Sequence, residues 1–348
     1  MSRAGDLLSN LVAIPSLSGR EEHACAFLAD SLPSTGWERV EIDGAGSVVA
    51  SRGSGSRELV LLGHIDTVPG GPAHALDGNI LRGRGSVDAK GPLCAFAVAG
   101  GRAPIAPDWK LTLIAATGEE ADSRGALHRI PKHSPAACII GEPSGADGVT
   151  IGYRGSLRIA LSAEDGGAHR SGDAGPVTAV VRATADILAL VEAADFPELP
   201  VIKRPSGAVV SMHGEENGHR LGRSELDIRL PEGSDPQQWI ERVVGLAERR
   251  SVHARVLAVT PAHVADKNNP TARALRLAVR KNGLNPRLLA KGGTADFNLA
   301  AAWNCPIAAY GPGDSKLDHT SEEQISLAEY LTSLDILTKA LPMIMRSA

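Results

Sequence analysis

The sequence predicts an α/β protein: a mostly parallel sheet flanked by helices, into which a smaller α+β module is inserted. Three observations carry this reading. The chain has 348 residues, room for roughly two domains at about 150 residues each. In its first half, apolar segments at residues 58–63 (ELVLLG), 111–117 (LTLIAAT) and 137–141 (ACIIG) alternate with helical patterns. Strands apolar on both faces belong to parallel sheets covered by helices on either side. Near residue 155 the pattern changes to shorter, partly alternating strands, and helix-then-strand order resumes only after Asn269-Pro270.

The elements follow in order. Leu7, Leu8, Leu11 and Val12 fall on one helical face, as do Ala24, Leu28 and Leu32. Within the module, 157–162 (LRIALS), 208–212, 225–230 and 252–259 read as strands and 176–191 as a helix with Pro near its start. A second helix at 235–249 has Ser234 or Asp235 as cap and Pro236 in its first turn. A final long helix is expected near 321–341. The boundaries are therefore 1–155 plus 265–348 for one domain and 156–264 for the insertion.

Composition narrows the function. Net charge is −4, and aromatic residues make up 3% of the chain, poor material for nucleic-acid binding by global charge or base stacking. No apolar run is long enough for a spanning helix. The N-terminus lacks the apolar stretch of a signal peptide, so a cytoplasmic protein is expected. Cys25, Cys94, Cys138 and Cys305 form no C-x-x-C pair and are expected to be reduced core thiols. Any metal would then be held by His, Asp and Glu.

Five patterns can carry chemistry. His64 and Asp66 follow the strand ELVLLG, where loops off the sheet's C-terminal edge carry sites, and Asp66 can hold one imidazole nitrogen while the other binds a metal. Asp88 lies in the glycine-rich turn GRGSVDAKG, which matches neither phosphate-loop pattern. Glu119 and Glu120 follow the strand LTLIAAT; adjacent carboxylates repel, and a cation would offset that, with one as ligand and the other as base. Glu142 follows ACIIG in GEPS, and His319 lies in GPGDSKLDHT before the last helix. Each has an ordinary alternative: a surface loop histidine, a turn or helix-cap aspartate, an acidic helix start. Together they supply N and O donors for two borderline divalent ions with one carboxylate bridging.

These segments, HIDTVP, GRGSVDAKG, TGEEADSRGA, GEPS and GPGDSKLDHTSEE in that order, resemble the co-catalytic zinc hydrolases of the acetylornithine deacetylase, succinyl-diaminopimelate desuccinylase and glutamate carboxypeptidase superfamily. The resemblance spans nearly the whole chain and implies a zinc-peptidase-like catalytic domain with an inserted lid or dimerisation domain. It implies that His64 and Glu142 bind one metal and Glu120 and His319 the other, with Asp88 bridging. Glu119 would be the general base and Asp66 the orienter of His64. His169, in GGAHRSGD, matches the family's lid histidine, which typically crosses from the partner subunit to stabilise the oxyanion. Arg229 and the Gly292-Gly293-Thr294 turn match positions that contact the substrate carboxylate. The sequence departs from the family at Asn217, in ENGHRLG rather than Asn-Val-Ile-Pro, and at Ala295, which lacks the usual hydroxyl. The remaining histidines match no motif.

The resemblance implies two divalent ions, zinc or cobalt, and a homodimer through the insertion. The final motif most resembles hydrolases that release lysine or ornithine from an amino-group carrier protein, in lysine or arginine biosynthesis, where the amino acid hangs from the carrier's C-terminal glutamate. Residues 267–294 carry seven basic residues and no acidic one, and Arg273, Arg276 and Arg280 would share a helix face on which an acidic carrier could dock; the alternative is a solvated charged face. Rival readings are a small-molecule deacylase, a dipeptidase, and a non-catalytic relative that binds amino acids or peptides. No nucleic-acid or membrane partner is expected.

Overall fold

Strands that bury both faces need cover on both sides, and the structure supplies it. It is a computed structural model and describes residues 2–167, 169, 174–216 and 218–348. The chain forms two compact units. One comprises Met1–Ile151, Ala265–Leu289 and Ala295–Ala348; the other comprises Gly152–Val264 and Ala290–Thr294.

The centre of the first unit is the strand Arg57–His64, paired in parallel with Trp109–Ala116 on one side and Ala137–Gly141 on the other. Ile307–Ala309 extends the parallel set beyond Ala137–Gly141. Antiparallel strands flank it: Val48–Arg52 and Arg39–Ile42 at one edge, Gly148–Tyr153 at the other. Leu59, Leu61, Leu111, Leu113 and Ile139 are fully buried in one core with helix residues Leu8, Leu28, Phe96, Leu275 and Leu337. Because the three parallel strands run together, their C-terminal ends bring His64, the loop after Ala116 and the loop after Gly141 to one edge of the sheet. Catalytic loops in open α/β sheets gather at that edge.

The expected last helix near 321–341 is instead Leu327–Ser347. Residues Gln324–Ser326 are diverted into an antiparallel pairing with Ile80–Arg82, and the Ser326 side chain caps the helix by accepting the Glu329 N–H.

In the second unit, four antiparallel strands lie in the order Ser206–Glu216, Arg220–Leu230, Gly155–Asp165, His253–Thr260. Burial alternates along the two central strands, so one face is apolar. Leu157, Ile159, Leu226 and Ile228 meet Val180 and Ile187 of the helix Gly175–Ala193 and Trp239 and Val243 of Pro236–Glu248. Among the described residues, no helix is long and apolar enough to cross a membrane.

Candidate metal centre

Asp88 is the hub of the site. It stands just before the helix Lys90–Arg102, and its peptide bond to Ala89 is cis. Its Oδ1 lies 3.2 Å from His64 Nε2, and its Oδ2 lies 3.2 Å from His319 Nε2. One carboxylate therefore faces two imidazoles, one oxygen to each. His319 Nε2 also meets Glu120 Oε1 at 2.9 Å, and His64 Nε2 is 4.0 Å from Glu142 Oε1. The donor atoms of His64, Asp88 and Glu120 all fall within 4.8 Å of one another. His64 and Glu142 are buried, whereas His319 is half exposed and its backbone is left-handed, with φ 62°.

Asp66 organises the loop that carries the paired glutamates. Its Oδ1 accepts the Glu119 N–H and its Oδ2 the Glu120 N–H, each at 3.1 Å, and Ser18 donates to Oδ2 at 2.7 Å. His64 Nδ1 lies 3.1 Å from the Asp66 backbone carbonyl and 3.5 Å from its Oδ1, so the backbone carbonyl is its closer partner. With Nδ1 held as donor, Nε2 is left as the nitrogen turned toward Asp88.

The electrostatics follow from three carboxylates around two imidazoles. Burial alone would strip the charge from His64, but Asp66 and Asp88 outweigh it and raise its pKa well above the usual imidazole value. Asp88 and Glu120 lift His319 to about 10. Burial opposes the charge on Asp88, yet the two imidazoles pull its pKa far below the ordinary range. Glu119 goes the other way: burial raises it, His64 offsets part of that, and Glu142, Asp296 and Glu120 push it up further.

A donor set of two imidazoles and three carboxylates, with one carboxylate spanning both imidazoles, fits two divalent ions that favour N and O ligands.

Several contributing residues escaped sequence reading. Glu323 is fully buried; its Oε1 accepts the N–H groups of Val87 at 3.0 Å and Asp88 at 3.1 Å, and its Oε2 pairs with Arg84. It fixes the Asp88 turn from the far end of the chain; its only signal was its place in HTSEE. Glu21 accepts two bonds from Arg124 Nη2, at 2.6 and 2.7 Å, at the end of the loop that bears Glu119 and Glu120. Asp296 is buried, neither carboxylate oxygen has a well-formed hydrogen bond, and burial raises it to about 7 against the pull of His64 and Ser123.

The other expected residues lie in the second unit. Arg229 pairs with Asp227 at 2.9 Å. Gly292 and Thr294 are tied to Arg154: its Nε donates to the Gly292 carbonyl at 2.7 Å, and the Thr294 hydroxyl donates to the Arg154 carbonyl at 2.9 Å. Burial, with Arg229 and Arg204 nearby, presses the Arg154 pKa down against the pull of Asp195 and Asp227, and Arg204 is itself paired with Asp195 at 2.6 Å. His169 is exposed in the same unit. Asn217 lies outside the described residues.

Residues 60–342 match the model of peptidase family M20/M25/M40. The chain belongs to that family. Its M20 membership makes it a hydrolase of amide bonds and implies divalent metal ions at a site of this kind. The chain is 37% identical to a LysW-lysine hydrolase of Deinococcus radiodurans, over 97% of this chain and 96% of that protein. A LysW-lysine/LysW-ornithine hydrolase of Saccharolobus solfataricus is 28% identical over 94% and 92%. The M20 family metallo-carboxypeptidase Sso-CP2 from Sulfolobus solfataricus shares the fold, with a TM-score of 0.80 at 16% identity, covering 99% of this chain and all of that one.

Proposed function

We propose that this M20 hydrolase releases lysine or ornithine from an amino-group carrier protein of the LysW type, using two divalent ions, zinc or cobalt. The observation that carries the reading is the 37% identity to a LysW-lysine hydrolase, with both chains covered almost end to end. The Asp88 geometry, one carboxylate oxygen toward each of two imidazoles, supports the dinuclear part.

His64, Asp88 and Glu142 would hold one ion and His319, Asp88 and Glu120 the other. Bound there, two such ions lower the pKa of water toward neutrality and polarise the scissile carbonyl. Glu119 takes the proton from the attacking water and returns it to the departing amine. Asp66 keeps Glu119 and Glu120 in place through their backbone N–H groups. His169 stabilises the oxyanion, and Arg229 with the Gly292-Gly293-Thr294 turn binds the substrate carboxylate.

The inserted domain, residues 156–264, serves as lid and dimerisation domain. One of its two edge strands is Ser206–Glu216, and Val209, Val210 and Met212 on it are 40%, 55% and 47% exposed. An edge this apolar favours pairing with a second copy. The four cysteines are free thiols, which suits work in the reducing cytoplasm.

The test is a release assay with zinc or cobalt that compares lysine-loaded carrier, ornithine-loaded carrier and free N-acetylornithine. Faster release from the carrier forms is expected. Equal rates on all three would defeat the carrier reading in favour of a small-molecule deacylase.

A further inference from the structure

Arg154 stands between the strands Gly148–Tyr153 and Gly155–Asp165 and is only 9% exposed. Its hydrogen bonds tie it to two other segments of the second unit. The side chain donates from Nε to the Gly292 carbonyl and from Nη1 to the Arg204 carbonyl, each at 2.7 Å. Its own N–H donates to the Lys291 carbonyl at 3.3 Å, and its carbonyl accepts the Thr294 hydroxyl at 2.9 Å. One residue thus meets the 291–294 turn at three points. The neighbouring cations Arg204 and Arg229 are paired with carboxylates, Asp195 at 2.6 Å and Asp227 at 2.9 Å. These bonds of the Arg154 guanidinium go instead to neutral carbonyls.

The turn needs such an anchor, because two consecutive glycines leave the backbone its widest freedom. Gly292 has no room for a larger residue: a Cβ there would lie 3.1 Å from Val201 Cγ2 and 3.2 Å from Arg154 Nη2. Gly293 is exposed, with nothing within 4 Å of where its Cβ would stand. The closed side of the turn is therefore the Arg154 side, and the open side is at Gly293. The peptide joining the two glycines is trans, so its C=O and N–H point in opposite directions. Fixing the Gly292 oxygen on Arg154 turns the Gly293 N–H away from the guanidinium and toward the open side. Among the described residues that N–H has no hydrogen-bond partner. The Thr294 hydroxyl proton is committed to the Arg154 carbonyl, so the donors that the turn presents are its backbone N–H groups.

We infer that Arg154 is a positioning residue for recognition of the substrate carboxylate: it holds the Gly292 carbonyl so that the Gly293 N–H faces that carboxylate. The inference rests on the role given to this turn under Proposed function. A guanidinium suits the task because its planar fork reaches two carbonyls in fixed directions, which an ammonium on a flexible stem does not. Arg154 acts through the turn, so its loss falls on ligands that carry a carboxylate and spares those without one.

The experiment measures binding of lysine and of lysinamide, which lacks the carboxylate, to the zinc-loaded protein by calorimetry, for wild type, R154K and T294V. Kinetics of lysine release from the loaded carrier run alongside, and thermal unfolding reports on folding. Wild-type protein is expected to bind lysine at least about tenfold more tightly than lysinamide. R154K should bring that ratio to about one by weakening lysine alone. Its KM for the loaded carrier should rise at least about tenfold, with kcat within about twofold of wild type. T294V removes only the bond to the Arg154 carbonyl and should fall between. A wild-type ratio retained in folded R154K, or in T294V if R154K does not fold, overturns the proposal. So does a loss that falls equally on lysine and lysinamide, which would make Arg154 a purely structural residue. Equal wild-type affinity for the two ligands removes the carboxylate role of the turn and the proposal with it. If the wild-type protein releases no lysine from the loaded carrier yet separates lysine from lysinamide, the carrier reading fails and the role of Arg154 stands.

Discussion

Asp66 Oδ2 accepts the backbone N–H of Glu120 at 3.1 Å, and the other oxygen of the same carboxylate accepts the N–H of Glu119 at the same distance. One side chain thus sets the position of two consecutive residues for which different roles are proposed, a metal ligand and a base. It does so through their backbone and leaves both side chains free for chemistry. Burial opposes its charge, but His64, Ser18 and the Glu120 N–H more than compensate, so Asp66 stays ionised below the usual carboxylate range and offers two acceptor oxygens.

Replacing Asp66 with Asn removes one of those acceptors and turns an NH2 group toward a backbone N–H. The expected result is a loss of about 10–100-fold in turnover and metal affinity, the usual cost of disturbing the groups that orient metal ligands. Steady-state kinetics with titrated metal would measure it. Wild-type kcat in D66N would mean that the Glu119–Glu120 loop holds its shape without this carboxylate.

Glu119→Ala separates the base from the ligands. If Glu119 moves the proton, the variant keeps its metal by elemental analysis and loses about 10²–10⁴-fold in kcat. A variant that loses metal as well as activity would place Glu119 among the ligands instead.

The sheet and the residues at its C-terminal edge were legible because the signal is local. ELVLL, LTLIAAT and ACIIG each announce a buried strand, and His64, Glu119, Glu120 and Glu142 stand within a few residues of the strand ends. The residues that were not legible act across long sequence separations. Glu323 reaches back to the Asp88 N–H, Ser18 to Asp66, and Glu21 to Arg124. Nothing in a run of single residues distinguishes a buried glutamate that accepts backbone N–H groups from a solvated one. The start of the last helix was misread for a related reason: residues 324–326 have helical company in sequence, but their backbone finds a strand partner at Ile80–Arg82.

Acid stability should report on Glu58, at the other end of the strand from His64. Burial opposes its charge, but His133, Lys110 and Thr112 outweigh that and bring its pKa from 4.5 to about 2. A carboxylate depressed by folding contributes stability that is fully present above its unfolded pKa and lost as pH falls through the folded one. The contribution, about 3 kcal/mol as an order of magnitude, should therefore be present at pH 7 and disappear progressively between about pH 4.5 and 2. Glu58→Gln should be less stable at neutral pH and should lack this component of the acid transition. Urea unfolding at several pH values would test it, and parallel stability–pH curves for the two proteins would rule the assignment out.

The sharpest test of two ions rather than one compares Asp88 with Glu142. Asp88 faces both imidazoles, one oxygen each at 3.2 Å, whereas Glu142 Oε1 lies 4.0 Å from His64 Nε2. Removing Asp88 strips a ligand from both proposed sites; removing Glu142 strips one from a single site and leaves His319, Glu120 and Asp88 in place. Chelator-treated wild-type protein should lose turnover and regain it on addition of zinc or cobalt, with about two ions bound per chain. Asp88→Ala should lose both ions, and Glu142→Ala should retain about one. Glu323→Ala provides the intermediate case: it leaves every ligand present but frees the Val87 and Asp88 N–H groups, so metal affinity should drop about 10–100-fold without a change in stoichiometry at saturation. A single ion per wild-type chain at saturation, with Asp88→Ala and Glu142→Ala equally depleted, would reduce the centre to one metal and remove the bridging role from Asp88.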